Sequence, residues 1–171
     1  MVEVIRATEA HVSGIINVCR SAYWDTYQAT HSEAYIDRVV KTFYHPERVW
    51  YEVTKTSRSW GGYFVALDHD QVVGAGGGGM TDRQISELFV LYIDPSRRNQ
   101  GIGTKLLDAI TAQQKQQGAR KQWVSVQKGN MKAIPFYQAK GFIFSHEQSS
   151  YGNSEIESYI SLRLYRKLKD E

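Results

Sequence analysis

Leu88–Ala109 reads LFVLYIDPSRRNQGIGTKLLDA, and the order of its parts decides the fold. Leu88-Phe89-Val90-Leu91-Tyr92-Ile93 has the length and the β-branched and aromatic content of a buried strand. Asp94-Pro95 ends it, because proline has no N–H to give to a ladder. The polar loop Ser96-Arg97-Arg98-Asn99-Gln100-Gly101-Ile102-Gly103 follows, and Leu106, Leu107 and Ile110 then recur at helical spacing after Thr104-Lys105. Strand, basic glycine-containing loop and helix together predict an anion site. The first turn of a helix has N–H groups without intrahelical partners and carries the positive end of the macrodipole. Gly101 and Gly103 have no Cβ, so an anion can come close to the backbone. Arg97 and Arg98 add full charges nearby, and a phosphate or pyrophosphate is the natural guest. The competing reading is an ordinary strand-to-helix turn. Two other phosphate loops fit poorly: Gly103-Thr104-Lys105 lacks the Walker pattern, and Leu106 stands where a dinucleotide fingerprint needs a third glycine.

Upstream of this stretch, Val2–Arg6 alternates as a short strand. Thr8 is a candidate N-cap for a helix with Val12, Ile15, Ile16, Cys19 and Tyr23 on one face. A second helix is expected from Ser32 to Phe43, with Pro46 marking a boundary. Arg48–Thr54 reads equally as helix or strand. Tyr63–Leu67 is a strand, and Val72–Met80, with its glycine run, is expected to be a thin, bulged strand that lets another element pack closely. Downstream, Gly118 reads as a helix stop, Gln122–Gln127 as a strand, and Met131–Lys140 as a helix ended by Gly141. Phe142–Phe144 is expected to be a short strand, Glu147–Glu157 a loop, and Tyr159–Leu164 a closing strand. About seven strands and four helices in mixed order predict an α/β (α+β) architecture: a mixed, mostly antiparallel central sheet flanked by helices. No repeat or linker divides the chain, so a single domain is expected over residues 1–171.

The 171 residues are enough for a real core, and 42% hydrophobic with 23% charged residues is the balance of an ordinary globule. A net charge of +3, without a long Lys/Arg run, does not argue for nucleic acid. Lone Cys19 sits in an apolar helical pattern and reads as a buried thiol. The N-terminal MVEVIRATEA is charged and lacks an apolar signal core, and no apolar run approaches the ~20 residues of a membrane span. A soluble cytoplasmic protein without membrane partners is therefore expected.

Arg98-Asn99-Gln100-Gly101-Ile102-Gly103 resembles the Arg/Gln-x-x-Gly-x-Gly/Ala signature of the GNAT superfamily of acetyl-CoA-dependent N-acetyltransferases. Leu91-Tyr92-Ile93-Asp94-Pro95 is similar to that family's preceding strand and its proline-containing exit. Asn130-x-x-Ala133-x-x-Phe136-Tyr137-x-x-x-Gly141-Phe142 resembles a second family segment, in which an asparagine begins a helix and a tyrosine lies two turns on. The resemblance covers Ile85–Phe144 well and the flanks in element order. It implies a GNAT-like fold and transfer of acetyl from acetyl-CoA, as co-substrate and with no metal, to an amine on a small molecule or a protein. A homodimer stays open.

The resemblance also distributes roles. Arg98, Asn99, Gln100, Gly101, Ile102, Gly103 and Thr104 would hold the pyrophosphate. The backbone at Leu91, Tyr92 and Ile93 would pair with the peptide-like pantetheine arm and support the oxyanion. Asn130 would contact that arm, and Tyr137 would lie near the thioester sulfur; without the family pattern Tyr137 reads as a core aromatic. Glu87 is the candidate base, placed by strand parity on the face of Leu91. Partial burial makes a carboxylate a stronger base; the alternative is a structural carboxylate. Many family members carry a glutamate on the next strand, where this chain has Ser125, which opens a water relay. Trp24, Asp25 and Tyr27 are expected to surround a cationic acceptor, or Trp24 simply packs on the sheet. The rival function is an acetyl-CoA-binding regulatory or interaction module without turnover.

Overall fold

The structure is a computed structural model that describes residues 1–169; the end of the charged C-terminal tail lies outside them. β1 (Val2–Arg6) is followed by a 3-10 turn (Glu9–His11) closed by a box in which the Thr8 N–H donates to His11 Nδ1 at 2.9 Å. α1 (Val12–Tyr27) and α2 (Glu33–Phe43) come next, and the Ser32 side chain caps α2 by accepting the Tyr35 N–H. The ambiguous stretch is a helix, α3 (Pro46–Thr54). Pro46 in its first turn costs no hydrogen bond, and the His45 ring accepts the Arg48 N–H. β2 (Phe64–Asp68), β3 (Gln71–Met80) and β4 (Ile85–Ile93) form a meander. Then come α4 (Ile102–Gln116), β5 (Lys121–Gln127), α5 (Ala133–Ala139), β6 (Ile143–Ser149) and β7 (Ile160–Lys167).

The sheet order is β1-β2-β3-β4-β5-β7-β6, with β4–β5 parallel and the other pairs antiparallel. This is the mixed, mostly antiparallel sheet expected; α3 makes a fifth α-helix among the described residues. β6 runs farther than the sequence suggested, to Ser149. It is the sheet's edge, and all of its residues are exposed. Ser145-His146-Glu147-Gln148-Ser149 therefore carries no alternation to read, and backbone pairing to β7 alone makes it a strand.

α1, α2 and α3 cover one face of the sheet, around Ile15, Cys19, Ile36, Val49, Val65 and Ala75. α4 and α5 cover the other, around Ala66, Leu106, Ile110, Val124 and Phe142. The glycine run in β3 serves both faces. On one side, a Cβ at Gly76 would meet Ile110 Cδ1 at 3.0 Å, so α4 lies directly on the strand. On the other, the 57–62 segment lies flat on β3, with the Gly61 N–H donating to Gly78 O at 2.8 Å and the Met80 N–H to Arg58 O at 2.9 Å. A Cβ at Gly79 would stand 2.0 Å from Ser59 O, a backbone atom that cannot step aside alone. Gly79→Ala is therefore expected to destabilise the protein by roughly 1–3 kcal/mol. Thermal unfolding followed by circular dichroism checks this; an unchanged midpoint would mean that the 57–62 segment is free to lift away.

Candidate active site

β4 and β5 pair from Ile85↔Lys121 to Leu88↔Val124 and no farther, although β4 continues to Ile93 and β5 to Gln127. Beyond Leu88 the two parallel strands part and leave a wedge in the sheet. The turning point is Phe89. Gly78 faces Leu88 and Gly77 faces Val90, so Phe89 is an extra residue, a β-bulge. The bulge reverses the parity assumed from sequence. Glu87 shares a face with Val90 and Tyr92, on the α1 side, while Leu91 and Ile93 pack with Leu88 toward α4. The Asp94 N–H donates to Val73 O at 2.9 Å. Alternation along an antiparallel ladder then points the Tyr92 amide at β3 and turns the backbone of Leu91 and Ile93 toward the wedge. Leu91 and Ile93 thus offer a free strand edge, and Tyr92 contributes its ring rather than its amide.

The start of α4 borders the wedge. Asn99 (φ 63°) and Gly101 (φ 79°) both sit in the left-handed region, and Gly101 caps α4 with no side-chain bond to its first amides. A Cβ at Gly101 would meet nothing within 4 Å, so the helix start opens onto free space. Ile102, 2% exposed, pins that start in the core, and Gly103 faces the Phe136 ring of α5. Arg97 and Arg98 are braces as well as charges. Arg97 pairs with Asp68 at 2.8 Å, and Arg98 pairs with Asp25 at 2.6 Å and donates to Thr26 Oγ1 at 3.3 Å. The first amides of α4 are left without a side-chain cap, while both guanidinium groups of the loop are engaged by carboxylates. Gly101→Asp adds strain at a positive φ and negative charge at the opening. It is expected to weaken CoA binding by about 10- to 100-fold, or roughly 1.4–2.8 kcal/mol. Calorimetric titration checks it, and unchanged affinity in a folded variant would remove the phosphate role from this loop.

Asn130 joins two elements. Its Oδ1 accepts the Ala133 N–H at 3.2 Å, setting up the start of α5, and its Nδ2 donates to the Tyr27 hydroxyl of α1 at 3.3 Å. Tyr137 is 7% exposed, with its ring edge-on to Phe136 and Phe142. Burial, with the nearby Tyr27 phenol adding to it, pushes the Tyr137 hydroxyl well above its usual pKa. Asn130 thus ties the start of α5 to Tyr27 of α1, while Tyr137 packs into the α4-side core.

On the α1 side the wedge opens into a cleft of about 630 Å³, walled by Tyr23, Tyr27, Tyr44, Tyr63, Tyr92 and Tyr151. Glu87 lies in it, with its side chain 15% exposed. Both of its oxygens accept from Arg163, Oε2 from Nη1 at 2.6 Å and Oε1 from Nη2 at 3.0 Å. Arg163 Nη1 also donates to Ser125 Oγ at 2.8 Å. Ser125 lies directly opposite Arg163 in the β5–β7 ladder, so the group spans three strands. Of the residues expected at the acceptor site, Tyr27 lines the cleft. Trp24 packs half-buried against the α1-side core, and Asp25 is tied to Arg98; neither lines the cleft. Arg163 and Glu52 carry no local sequence signal that marks them as cleft residues. Arg163 alternates with Leu162 and Leu164, which puts it on the polar face of β7, but its reach to Glu87 depends on the strand order.

The chain belongs to the acetyltransferase (GNAT) family, whose profile matches residues 16–142. An uncharacterized N-acetyltransferase of Methanocaldococcus jannaschii is 31% identical over 101 residues, covering 54% of this chain and 44% of that protein. A mycothiol acetyltransferase of Geodermatophilus obscurus is 30% identical over 87 residues, covering 47% and 28%. The matched part spans less than half the length of either relative. The solved structure of PaiA N-acetyltransferase from Thermoplasma acidophilum, in complex with coenzyme A, superimposes with a TM-score of 0.82 at 20% identity, covering 98% and 99% of the two chains. At that identity the likeness speaks for the fold. Among the described residues, no helix is long and apolar enough to cross a membrane.

Proposed function

We propose that the chain moves an acetyl group from acetyl-CoA to a primary amine by direct attack in a ternary complex. One observation carries this reading: the parting of β4 and β5 puts the free edge of Leu91 and Ile93 between the uncapped start of α4 and the Glu87 carboxylate. The relatives named as N-acetyltransferases, and the coenzyme A in the PaiA structure, support it. The donor supplies the acetyl thioester, and the rest is the work of this chain. The backbone from Arg98 to Thr104 holds the pyrophosphate. Leu91 and Ile93 align the arm as an added strand would be aligned, and Asn130 fixes its far end. An inward amide of this edge, at Leu91 or Ile93, stabilises the developing oxyanion.

Glu87 accepts the proton of the attacking amine. A carboxylate has about four lone-pair sites, and Arg163 takes one on each oxygen. Glu87 lines the cleft, and one bridging water there suffices for the relay. Tyr137 donates to the leaving sulfur. The rival reading, a donor-binding module without turnover, draws on the same engagement of Glu87 by Arg163. Free-thiol release against a panel of amines, with products identified by mass spectrometry, separates the two. Acetylated amine is the expected result; no thiol release with any amine, in a protein that binds CoA, would overturn the proposal.

A further inference from the structure

We infer that the acceptor is a small aliphatic amine carrying a second cationic nitrogen, and that Glu52 of α3 binds that second nitrogen while the first is presented to Glu87. This deepens the acetyl-transfer reading and rests on it. The cleft contains two carboxylates, Glu52 and Glu87, and two guanidinium groups, Arg48 and Arg163. The four are not equally satisfied. Glu87 is held on both oxygens by Arg163, at 2.6 and 3.0 Å. Glu52 has a long contact to Arg48 Nε, 3.5 Å, one helical turn away, and the Arg48 guanidinium lies 4.4 Å over the Phe43 ring. The Glu52 side chain is only 22% exposed. Burial pushes its carboxyl above the usual range and Arg48 pulls it part of the way back. It is a poorly solvated carboxylate with an incomplete partner, in a cleft that has room for one.

The walls say what that partner looks like. Burial pushes the phenols of Tyr23, Tyr44, Tyr63 and Tyr92 up, so they stay neutral and offer ring faces and hydroxyls. Neutral aromatic faces beside a carboxylate attract an alkylammonium, and they suit the methylene body between two such groups.

A polypeptide acceptor needs an open groove, and the connection between β6 and β7 closes one side. The Ser32 N–H donates to the Tyr159 hydroxyl at 2.9 Å, and the His31 ring stacks on Tyr159 at 4.0 Å. Arg38 donates to Gly152 O at 2.9 Å and pairs with Glu157. These bonds stitch the loop to α2 and to the turn before it. Tyr151, edge-on to Phe43 at 5.4 Å, is thereby held at the cleft mouth.

The test is calorimetric binding of 1,4-diaminobutane, 1-aminobutane and a tetra-alanine peptide with a free N-terminus, to the protein alone and saturated with CoA. The diamine is expected to bind about 10-fold tighter than the monoamine, the scale of one partly desolvated charge contact. Glu52→Gln should abolish that preference and leave the monoamine unaffected. The Trp60 indole bonds the backbone carbonyl of Glu52, at 2.7 Å, so that link survives the substitution. Arg48→Gln should act in the opposite direction and tighten the diamine by a few-fold. Equal affinity for diamine and monoamine, an equal loss of both in Glu52→Gln, or tighter binding of the peptide would each overturn the inference. Turnover is read separately. Diamine bound in a Glu52-dependent way but never acetylated would keep the binding site and sink the acetyl-transfer reading instead.

Discussion

Replacing Glu87 with glutamine is expected to lower kcat by roughly 10²–10⁴-fold at neutral pH, the range for loss of a general base, with CoA affinity little changed. Glu87 lies on the cleft face of β4 with its side chain 15% exposed, so a proton taken from the amine has a carboxylate to go to. The substitution also removes one side of an ion pair, and breaking a buried pair from one side costs about 3–5 kcal/mol. Here the cost should be smaller, because the glutamine oxygen and Ser125 Oγ both remain for Arg163 to bond. A companion variant, Arg163→Gln, removes the same pair from the other side. If Glu87 is the base, single-turnover acetylation by the folded proteins collapses in Glu87→Gln and persists in Arg163→Gln. If the pair only braces three strands, both variants lose melting temperature and rate together. The pH profile adds a second decision. A free primary amine deprotonates near pH 10.4; a Glu87→Gln deficit that disappears there would mean the amine loses its proton in solution and Glu87 only organises the cleft.

The elements that carry their own local signal were legible in the sequence. The strand–loop–helix at Leu88–Ala109 and the helix stops at Gly118 and Gly141 depend on turn chemistry and periodicity, both written in neighbouring residues; Thr8 precedes the 3-10 turn Glu9–His11, and α1 itself starts from His11. The close packing along β3 was legible for the same reason, since glycine leaves room. What was not legible depends on register. One extra residue at Phe89 reverses which face Glu87 shares, and a single sequence does not mark a bulge in a uniformly apolar run. β6 lies at the edge and needs no hydrophobic alternation. The Glu87–Ser125–Arg163 group joins β4, β5 and β7, and the last two are adjacent only because β7 inserts between β5 and β6. Asp25 was read as an acceptor ligand from its aromatic neighbours, but the fold brings Arg98 to within 2.6 Å of it, a partner 73 residues away. Glu52 sat in a stretch whose secondary structure was itself undecided, so its face could not be assigned.

Tyr137→Phe is expected to lower kcat by roughly 10- to 10³-fold, the lower part of the range for acid catalysis. Tyr137 follows Asn130 by seven residues, two helical turns on. Asn130 Nδ2 reaches the Tyr27 hydroxyl at the cleft wall, and the nearby Tyr27 phenol acts electrostatically on Tyr137 as well. Burial raises the Tyr137 pKa above its ordinary value near 10. The sign is simple: a raised phenol pKa keeps the proton on oxygen, so the hydroxyl remains a donor across the whole neutral and mildly alkaline range. Wild-type kcat should therefore show no fall between about pH 7 and 9 from titration of this group. A CoA thiolate leaves tolerably without help, which is why the expected loss is smaller than for Glu87. The substitution keeps the ring, and the ring is what packs edge-on to Phe136 and Phe142 at 5.2 and 5.3 Å, so the fold should hold. The measurement is kcat across pH for both proteins, with circular dichroism and CoA affinity alongside. Wild-type turnover in a sound Tyr137→Phe protein would make the hydroxyl a packing detail and leave the thiolate to depart unaided.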